Sequence, residues 1–312
     1  MKRIETAALV GLGAIGAAYL SRISERIVPE NIRVIADSER AERISAGVAV
    51  NGRVYRFPVY GPEEKSLPPS DLAIFAVKWP QLGLAIEDMK NQIGPETIIL
   101  SLLNGITSER EIIRAYGDRN VLLSLAMGID ATRNGGGTVY TSLGFIQFGE
   151  ARNDPRAYSP NVIAVKEFFD RAGIEYEIPA DMRHALWKKF MMNAGANQTT
   201  AVLGCAYGLI QTSPDARRVM RAAMEEVASV AEREGVSLTE EDIDDGFARL
   251  DRLSPSGLTS MSQDISSRRT TEADMFGGTV TELAGRHGLA SPVNETLFRL
   301  IKAIEASWSD RE

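Results

Sequence analysis

The sequence predicts an α/β fold. An N-terminal domain with a parallel sheet and crossover helices spans residues 1–179, and an all-helical C-terminal domain spans 180–312. Three observations lead there. Short apolar and β-branched runs alternate with helical patterns through the first half, as crossover units require. A glycine cluster follows the first of these runs. Beyond Pro179 strand signals nearly vanish.

Taken in order, Thr6–Val10 (TAALV) is a strand ending at the glycines, and Ala14–Ser24 is the helix after it. Ile32–Ala36 is a second strand. Within Val48–Phe57, Asn51-Gly52 separates two β-branched stretches, a hairpin signal because such a turn needs positive φ. Leu72–Val77 and Thr97–Leu102 are buried strands, with a helix from about Gln81 to Asn91 between them. Val121–Met127 is another strand, and the β-rich run TVYTSLGFIQFG follows the turn at Asn134–Gly137. Ser159-Pro160 supplies an N-cap and first helical residue for a helix to about Ala172. In the second half, Ala180 to about Val202 is one long helix. Ser213-Pro214 opens a helix that should stop at Gly235. Thr239, with Asp242 three residues on, opens a third in capping-box style. Met261–Arg286, interrupted near Gly277-Gly278, and Pro292–Ser307 complete the set.

Composition narrows the function. The chain has 312 residues with 44% apolar and 25% charged residues, enough to bury two cores. A net charge of −7 points away from nucleic acid as the main partner. No apolar run approaches the ~20 residues a membrane span needs. The run from Met1 to Glu5 enters a strand rather than a signal peptide. The lone Cys205 permits no internal disulfide, which favours a reducing, cytoplasmic compartment. The two histidines cannot by themselves build a structural zinc site, and no metal site is expected.

Gly11-Leu12-Gly13-Ala14-Ile15-Gly16 matches GxGxxG between a strand and a helix. Gly11 permits the tight turn, Gly13 the approach of a pyrophosphate and Gly16 close helix–strand packing. The N-terminus of the helix offers unpaired N–H groups to the phosphates. The first domain is therefore expected to be a Rossmann-type dinucleotide-binding domain. Asp37 ends the second strand 21 residues after Gly16. Its carboxylate can accept from the ribose hydroxyls of NAD, or it can simply cap a helix. Arg40 and Arg43 stand close enough to offset its charge toward NADP.

In the long helix, Lys189, Asn193 and Asn197 recur every fourth residue and so share one face. Their neighbours Leu186, Trp187, Phe190, Met191 and Ala194 are apolar, so this helix belongs inside the protein. Burying an ammonium and two amides there costs several kcal/mol without partners, and a polar ligand is the simplest partner. A lysine reaching back to solvent beside core asparagines is the plainer reading. Thr259-Ser260-Met261-Ser262-Gln263-Asp264 is a second polar stretch, a carboxylate seat or a simple cap at Ser260. Glu272 is placed to hold Lys189 charged, or is merely solvated.

With these motifs in hand, the chain resembles the ketopantoate reductase (2-dehydropantoate 2-reductase) family over essentially its whole length. The resemblance rests on GLGAIG, AVKWPQ at 76–81, LLNG at 102–105, W-x-K-x-x-x-N-x-x-x-N at 187–197, and SM-x-QD at 260–264 followed by Glu272. It implies that Lys189 is the catalytic lysine, with Glu272 as its glutamate. Ser260 becomes the serine for the substrate carboxylate, and Asn193 and Asn197 the substrate-binding amides. Lys78, Gln81 and Asn104 fall near the cofactor and the reacting centre. The implied reaction is NAD(P)H-dependent reduction of a 2-oxo acid, 2-dehydropantoate above all, as in pantothenate biosynthesis. The resemblance favours NADP(H), while Asp37 leaves NAD(H) open. Two features depart from the family pattern. Asp37-Ser38-Glu39-Arg40 stands where a basic residue is usual, and Gln198-Thr199-Thr200 replaces a proline-containing segment. Another 2-oxo or 3-hydroxy acid dehydrogenase of similar architecture is the alternative, followed by a non-catalytic dinucleotide-binding sensor. The helical domain offers a surface for a homodimer.

Overall fold

Four-residue strands buried along their whole length lie at the centre of the first half, because parallel strands covered on both faces must be apolar throughout. The computed structural model describes residues 3–309, so Met1 and Lys2 of the N-terminal run lie outside the described residues. The chain divides into two compact units, Met1–Arg183 and His184–Glu312.

In chain order the first unit opens with β1 (Ala7–Val10), α1 (Ala14–Ser24), β2 (Ile32–Ile35), α2 (Ser38–Ser45), β3 (Val48–Val50), β4 (Arg53–Tyr55) and β5 (Val59–Tyr60). β6 (Leu72–Phe75), α3 (Leu82–Met89), β7 (Ile98–Ser101), α4 (Ser108–Tyr116) and β8 (Val121–Met127) follow. It closes with β9 (Thr132–Asn134), β10 (Gly137–Val139), β11 (Phe145–Gly149), α5 (Pro160–Ala172) and β12 (Tyr176–Glu177). The main sheet has the order β12-β11-β8-β7-β6-β1-β2-β5. Strands β5 to β8 of that order run parallel, and β11 turns antiparallel against β8. Leu9 pairs with Val34 on one side and Ile74 on the other. One apolar core gathers Leu20, Ile23, Phe168 and Phe169, the other Phe75, Leu82, Met89 and Ile112.

The Asn51-Gly52 hairpin forms, with φ of 48° and 77°. It belongs to a separate four-stranded sheet, β4-β3-β10-β9, in which Thr138 pairs with Val50. Ser159 caps α5 and Pro160 begins it. α4 is a helix that the sequence pattern does not announce.

The second unit is helical. α6 (Met182–Leu203) runs unbroken for 22 residues. α7 (Tyr207–Thr212), α8 (Pro214–Arg233), α9 (Glu240–Leu250), α10 (Ser260–Ser266), α11 (Thr279–Arg286) and α12 (Pro292–Ser309) follow. The capping box of α9 is made by Thr239 and Asp242. The stretch expected as one interrupted helix over Met261–Arg286 is instead α10, a π-turn at Asp274–Gly278, and α11. The cap of α10 is Thr259, whose side chain accepts from the Ser262 amide, and not Ser260. That corrects the capping alternative for Ser260, which is the first helical residue and exposed.

Candidate active site

The candidate residues fall into two sets, one in each unit. In the first unit, all lie after the carboxyl ends of β2, β1, β6 and β7, which are neighbours in the sheet. The chain leaves β1 for β2 on one side, and β6 flanks it on the other. That reversal of strand order is where open α/β sheets bind ligands.

The turn from β1 into α1 is shaped by glycine. Gly11 has φ +96°, and a Cβ there would stand 2.6 Å from the Ala76 backbone. A Cβ on Gly16 would stand 2.0 Å from the Gly11 carbonyl oxygen, so the helix packs on the turn itself. Gly13 is different. A Cβ there meets only the Ala76 oxygen, at 3.9 Å, so its outer side is open. Gly13 is also the N-cap of α1, and no side chain caps that helix. Ala14 and Ile15 open the helix and are partly exposed. Uncapped first-turn amides beside open space, with the positive end of the helix dipole behind them, fit a pyrophosphate.

Asp37 is the N-cap of α2. Its Oδ1 accepts from the Arg40 amide at 2.8 Å, and its Oδ2 pairs with Arg40 Nε at 2.9 Å. Lys78 and Gln81 are exposed at the two ends of a short 3₁₀ turn after β6. Asn104 is partly buried three residues after β7. The start of its loop is fixed from below. Ser101 Oγ donates to Ser108 Oγ, and Ser108 Oγ donates to Glu109 Oε2, both at 2.8 Å. Ser124 Oγ donates to the Ser101 carbonyl at 2.7 Å. All four residues are buried, and a satisfied buried polar network is rigid.

In the second unit, α6 carries Lys189 and Asn193, both partly buried, and Asn197, which is 7% exposed. Trp187 and Phe190 pack edge to face at 5.8 Å between ring centroids, and Phe190 stacks on Phe276 at 6.1 Å. Phe190 follows Lys189 directly. Phe276 belongs to the turn that Glu272 begins, since the amides of Met275 and Phe276 donate to the Glu272 carbonyl. The stacked rings thus bring the Lys189 and Glu272 segments together. A second link joins α6 to Ser260, for Thr200 Oγ1 lies 2.8 Å from Thr259 Oγ1. Both threonines stand in segments the sequence singles out, Gln198-Thr199-Thr200 and Thr259–Asp264, but the tie between them is not legible there.

Gln198 is fully buried and donates to the Ala194 carbonyl and to Asn294 Oδ1, both at 2.9 Å. Asn294 Nδ2 in turn donates to Glu226 at 2.8 Å. Without a proline after Asn197, α6 keeps its backbone ladder to Leu203. Nearer its start, Asp242 receives Lys188 Nζ at 2.9 Å and faces His184 Nε2 at 3.0 Å. Burial opposes the Asp242 charge, but the Thr239 amide, Lys188 and His184 outweigh it and hold the pKa at about 2.

Among the described residues, no group of three or more His, Cys, Asp or Glu is placed to hold a metal ion. No described helix is long and apolar enough to cross a membrane.

Two family models match the chain: "Ketopantoate reductase PanE/ApbA" over residues 7–153 and "Ketopantoate reductase PanE/ApbA C terminal" over residues 181–305. A 2-dehydropantoate 2-reductase from Vibrio cholerae is 29% identical over 243 residues, covering 77% of this chain and 79% of that protein. Among solved structures, D-mandelate dehydrogenase with NADH and anilino(oxo)acetate aligns over 97% of this chain and 99% of that one, with TM-score 0.85 and 22% identity. The dimeric ketopantoate reductase of Staphylococcus aureus covers the same shares with TM-score 0.78 and 19% identity. At such identities the structures show a shared fold. Fold, glycine turn and both family matches agree: the chain belongs to the PanE/ApbA ketopantoate reductase family, reductases of 2-oxo acids, and is an NAD(P)H-dependent oxidoreductase.

Proposed function

We propose that this chain reduces a 2-oxo acid at its ketone carbon, with Lys189 as the proton donor. The observation that carries the reading is the stripe of Lys189, Asn193 and Asn197 on one face of an unbroken, largely buried helix. The unit ending at Arg183 is read as the dinucleotide-binding domain, and the unit that follows as the catalytic one. Gly11, Gly13, Ala14, Ile15 and Gly16 hold the pyrophosphate, and Asp37 and Arg40 face the adenosine ribose. Lys78, Gln81 and Asn104 complete the nicotinamide end. The bound dinucleotide supplies the hydride.

Lys189, as an ammonium, donates a hydrogen bond to the ketone oxygen and passes it a proton as negative charge develops there. General acid catalysis contributes ~10²–10⁴-fold. Glu272 favours the charged form of the lysine against the opposing effect of burial. Ser260 takes the substrate carboxylate, and Asn193 and Asn197 read polar groups on the side chain of the acid.

An acid other than 2-dehydropantoate is the reading we favour. Gln198-Thr199-Thr200 differs from the family segment beside Asn197, and D-mandelate dehydrogenase shows that this fold serves another 2-hydroxy acid. The family match favours 2-dehydropantoate as the second reading. Initial rates with NADPH and NADH against 2-dehydropantoate, phenylglyoxylate and 2-oxoisovalerate decide between them. A 2-oxo acid should be turned over. Turnover of 3-hydroxy acids alone, or calorimetric dinucleotide binding with no turnover, contradicts the proposal. A second copy of the chain is the expected protein partner, as in the dimeric Staphylococcus aureus relative. Light scattering that gives the mass of one chain contradicts it.

A further inference from the structure

Thr200 sits eleven residues after Lys189, about three turns of 3.6 residues, so it extends the stripe of Lys189, Asn193 and Asn197. It is fully buried, and Thr259 is 2% exposed. The Thr200 and Thr259 hydroxyls share a hydrogen bond at 2.8 Å in which either can donate; Thr200 also has the Ala196 carbonyl within reach at 2.8 Å, and Thr259 the Ser262 hydroxyl at 3.1 Å. Thr259 Oγ1 also accepts from the Ser262 amide at 3.1 Å and so fixes the first turn of α10, where Ser260 is the first residue. Two backbone bonds reinforce the same junction. The Tyr207 amide donates to the Gly257 carbonyl at 3.0 Å, and the Gly208 amide to the Pro255 carbonyl at 2.8 Å. Among these ties, only the threonine pair runs directly from the stripe of α6 to the residue preceding Ser260.

We propose that Thr200 and Thr259 are positioning residues that hold Ser260 in register with Lys189, Asn193 and Asn197, setting affinity for the 2-oxo acid through Ser260. The inference rests on the assignment of Ser260 to the substrate carboxylate given above. Its physical basis is that a hydrogen-bonding group is effective only when its own support fixes it within a fraction of an ångström. A valine at position 200 keeps the shape and removes the hydroxyl, so the tie from α6 to Thr259 is lost while Thr259 keeps its local bonds to Ser262.

The test is a double-mutant cycle on steady-state kinetics, using the 2-oxo acid of the panel that the wild-type protein reduces with the highest kcat/KM. Thr200→Val should raise KM for that acid about five- to tenfold, with kcat and the dinucleotide KM within about twofold of wild type. Thr200→Ser, which restores the hydroxyl, should return the wild-type KM. In a Ser260→Ala background, Thr200→Val should add less than about twofold, because its effect passes through Ser260. If Thr200→Val does not fold, Thr200→Ala removes the same hydroxyl, leaving a methyl-sized space in place of an apolar methyl, and is read in the same way. A Ser260→Ala protein with unchanged KM overturns the substrate assignment itself, and the proposal with it. A raised KM in Ser260→Ala with no effect of Thr200→Val, or with two independent effects that multiply, overturns the positioning role alone. A fall in kcat and dinucleotide affinity together in Thr200→Val, unrelieved by serine, marks a purely structural role and also overturns it.

Discussion

The Asp37 carboxylate holds Arg40 twice, through the backbone amide at 2.8 Å and through the guanidinium at 2.9 Å. Both side chains are more than a third exposed, so the ion pair is worth only about 0–1 kcal/mol and exchanges readily for another partner. Arg40 can therefore turn to a 2′-phosphate while Asp37 remains the cap of α2. The expected outcome is a preference for NADPH, with Arg40→Ala lowering kcat/KM for NADPH several-fold and leaving NADH nearly unaffected. The NADPH/NADH ratio of kcat/KM in wild type, Asp37→Ala and Arg40→Ala measures it. An unchanged ratio in Arg40→Ala, with NADH use abolished in Asp37→Ala, makes Asp37 a ribose ligand and NAD(H) the cofactor.

The three glycines of the first turn separate cleanly by what a methyl group would meet. Gly13→Ala has room for its Cβ, so the protein should fold with a thermal midpoint close to wild type. The added methyl occupies the open side and should weaken dinucleotide binding at least tenfold, or about 1.4 kcal/mol. Gly16→Ala forces a methyl to 2.0 Å from the Gly11 carbonyl and should destabilise the fold itself, by about 1–3 kcal/mol or more. Calorimetric binding and thermal melts of the two variants check this. Normal dinucleotide affinity in Gly13→Ala removes the pyrophosphate from this turn.

Asp242 ties α9 to the first turns of α6, and its charge carries stability with a defined pH dependence. Its folded pKa is about 2, below the ordinary carboxylate value. A depressed carboxylate contributes stability that is full above its unfolded pKa and is lost as pH falls through the folded one. The contribution is about 2 kcal/mol at neutral pH, by the conversion of pKa difference into free energy. In urea unfolding, the stability gap between wild type and Asp242→Asn should narrow as pH falls from about 5 toward about 2. A gap of constant size over that range contradicts the assigned charge.

Local signals in the sequence were sufficient wherever local geometry decides the outcome. The GxGxxG turn, the Ser159-Pro160 start of α5, the Thr239–Asp242 capping box and the four-residue spacing on α6 all depend on neighbours within a turn or two. Long-range pairings were not legible. The hairpin at Asn51-Gly52 could be read, but not its pairing with Thr138, some ninety residues later in the chain. The buried serine and glutamate network under Asn104 draws from β7, α4 and β8, and no spacing rule announces it. At the start of α10, Thr259 and Ser260 are both cap-type residues; Thr259 is the cap, and its hydroxyl also meets Thr200, far away in the chain on α6. Lys189, Asn193 and Asn197 were legible because period 3.6 sets them on one face. Thr200 continues that stripe, yet nothing in its own surroundings separates it from any other helical threonine.

The most direct test of the central claim is the turnover number of Lys189→Ala with the preferred 2-oxo acid, measured beside its calorimetric affinity for the dinucleotide. With Lys189 as the proton donor, kcat should fall by about two to four orders of magnitude, the usual scale for a lost general acid. Dinucleotide affinity should stay within about twofold of wild type, since the proposed phosphate site is the Gly11–Gly16 turn and not α6. A folded Lys189→Ala protein that keeps more than about a third of the wild-type rate lies far outside that scale and contradicts the claim.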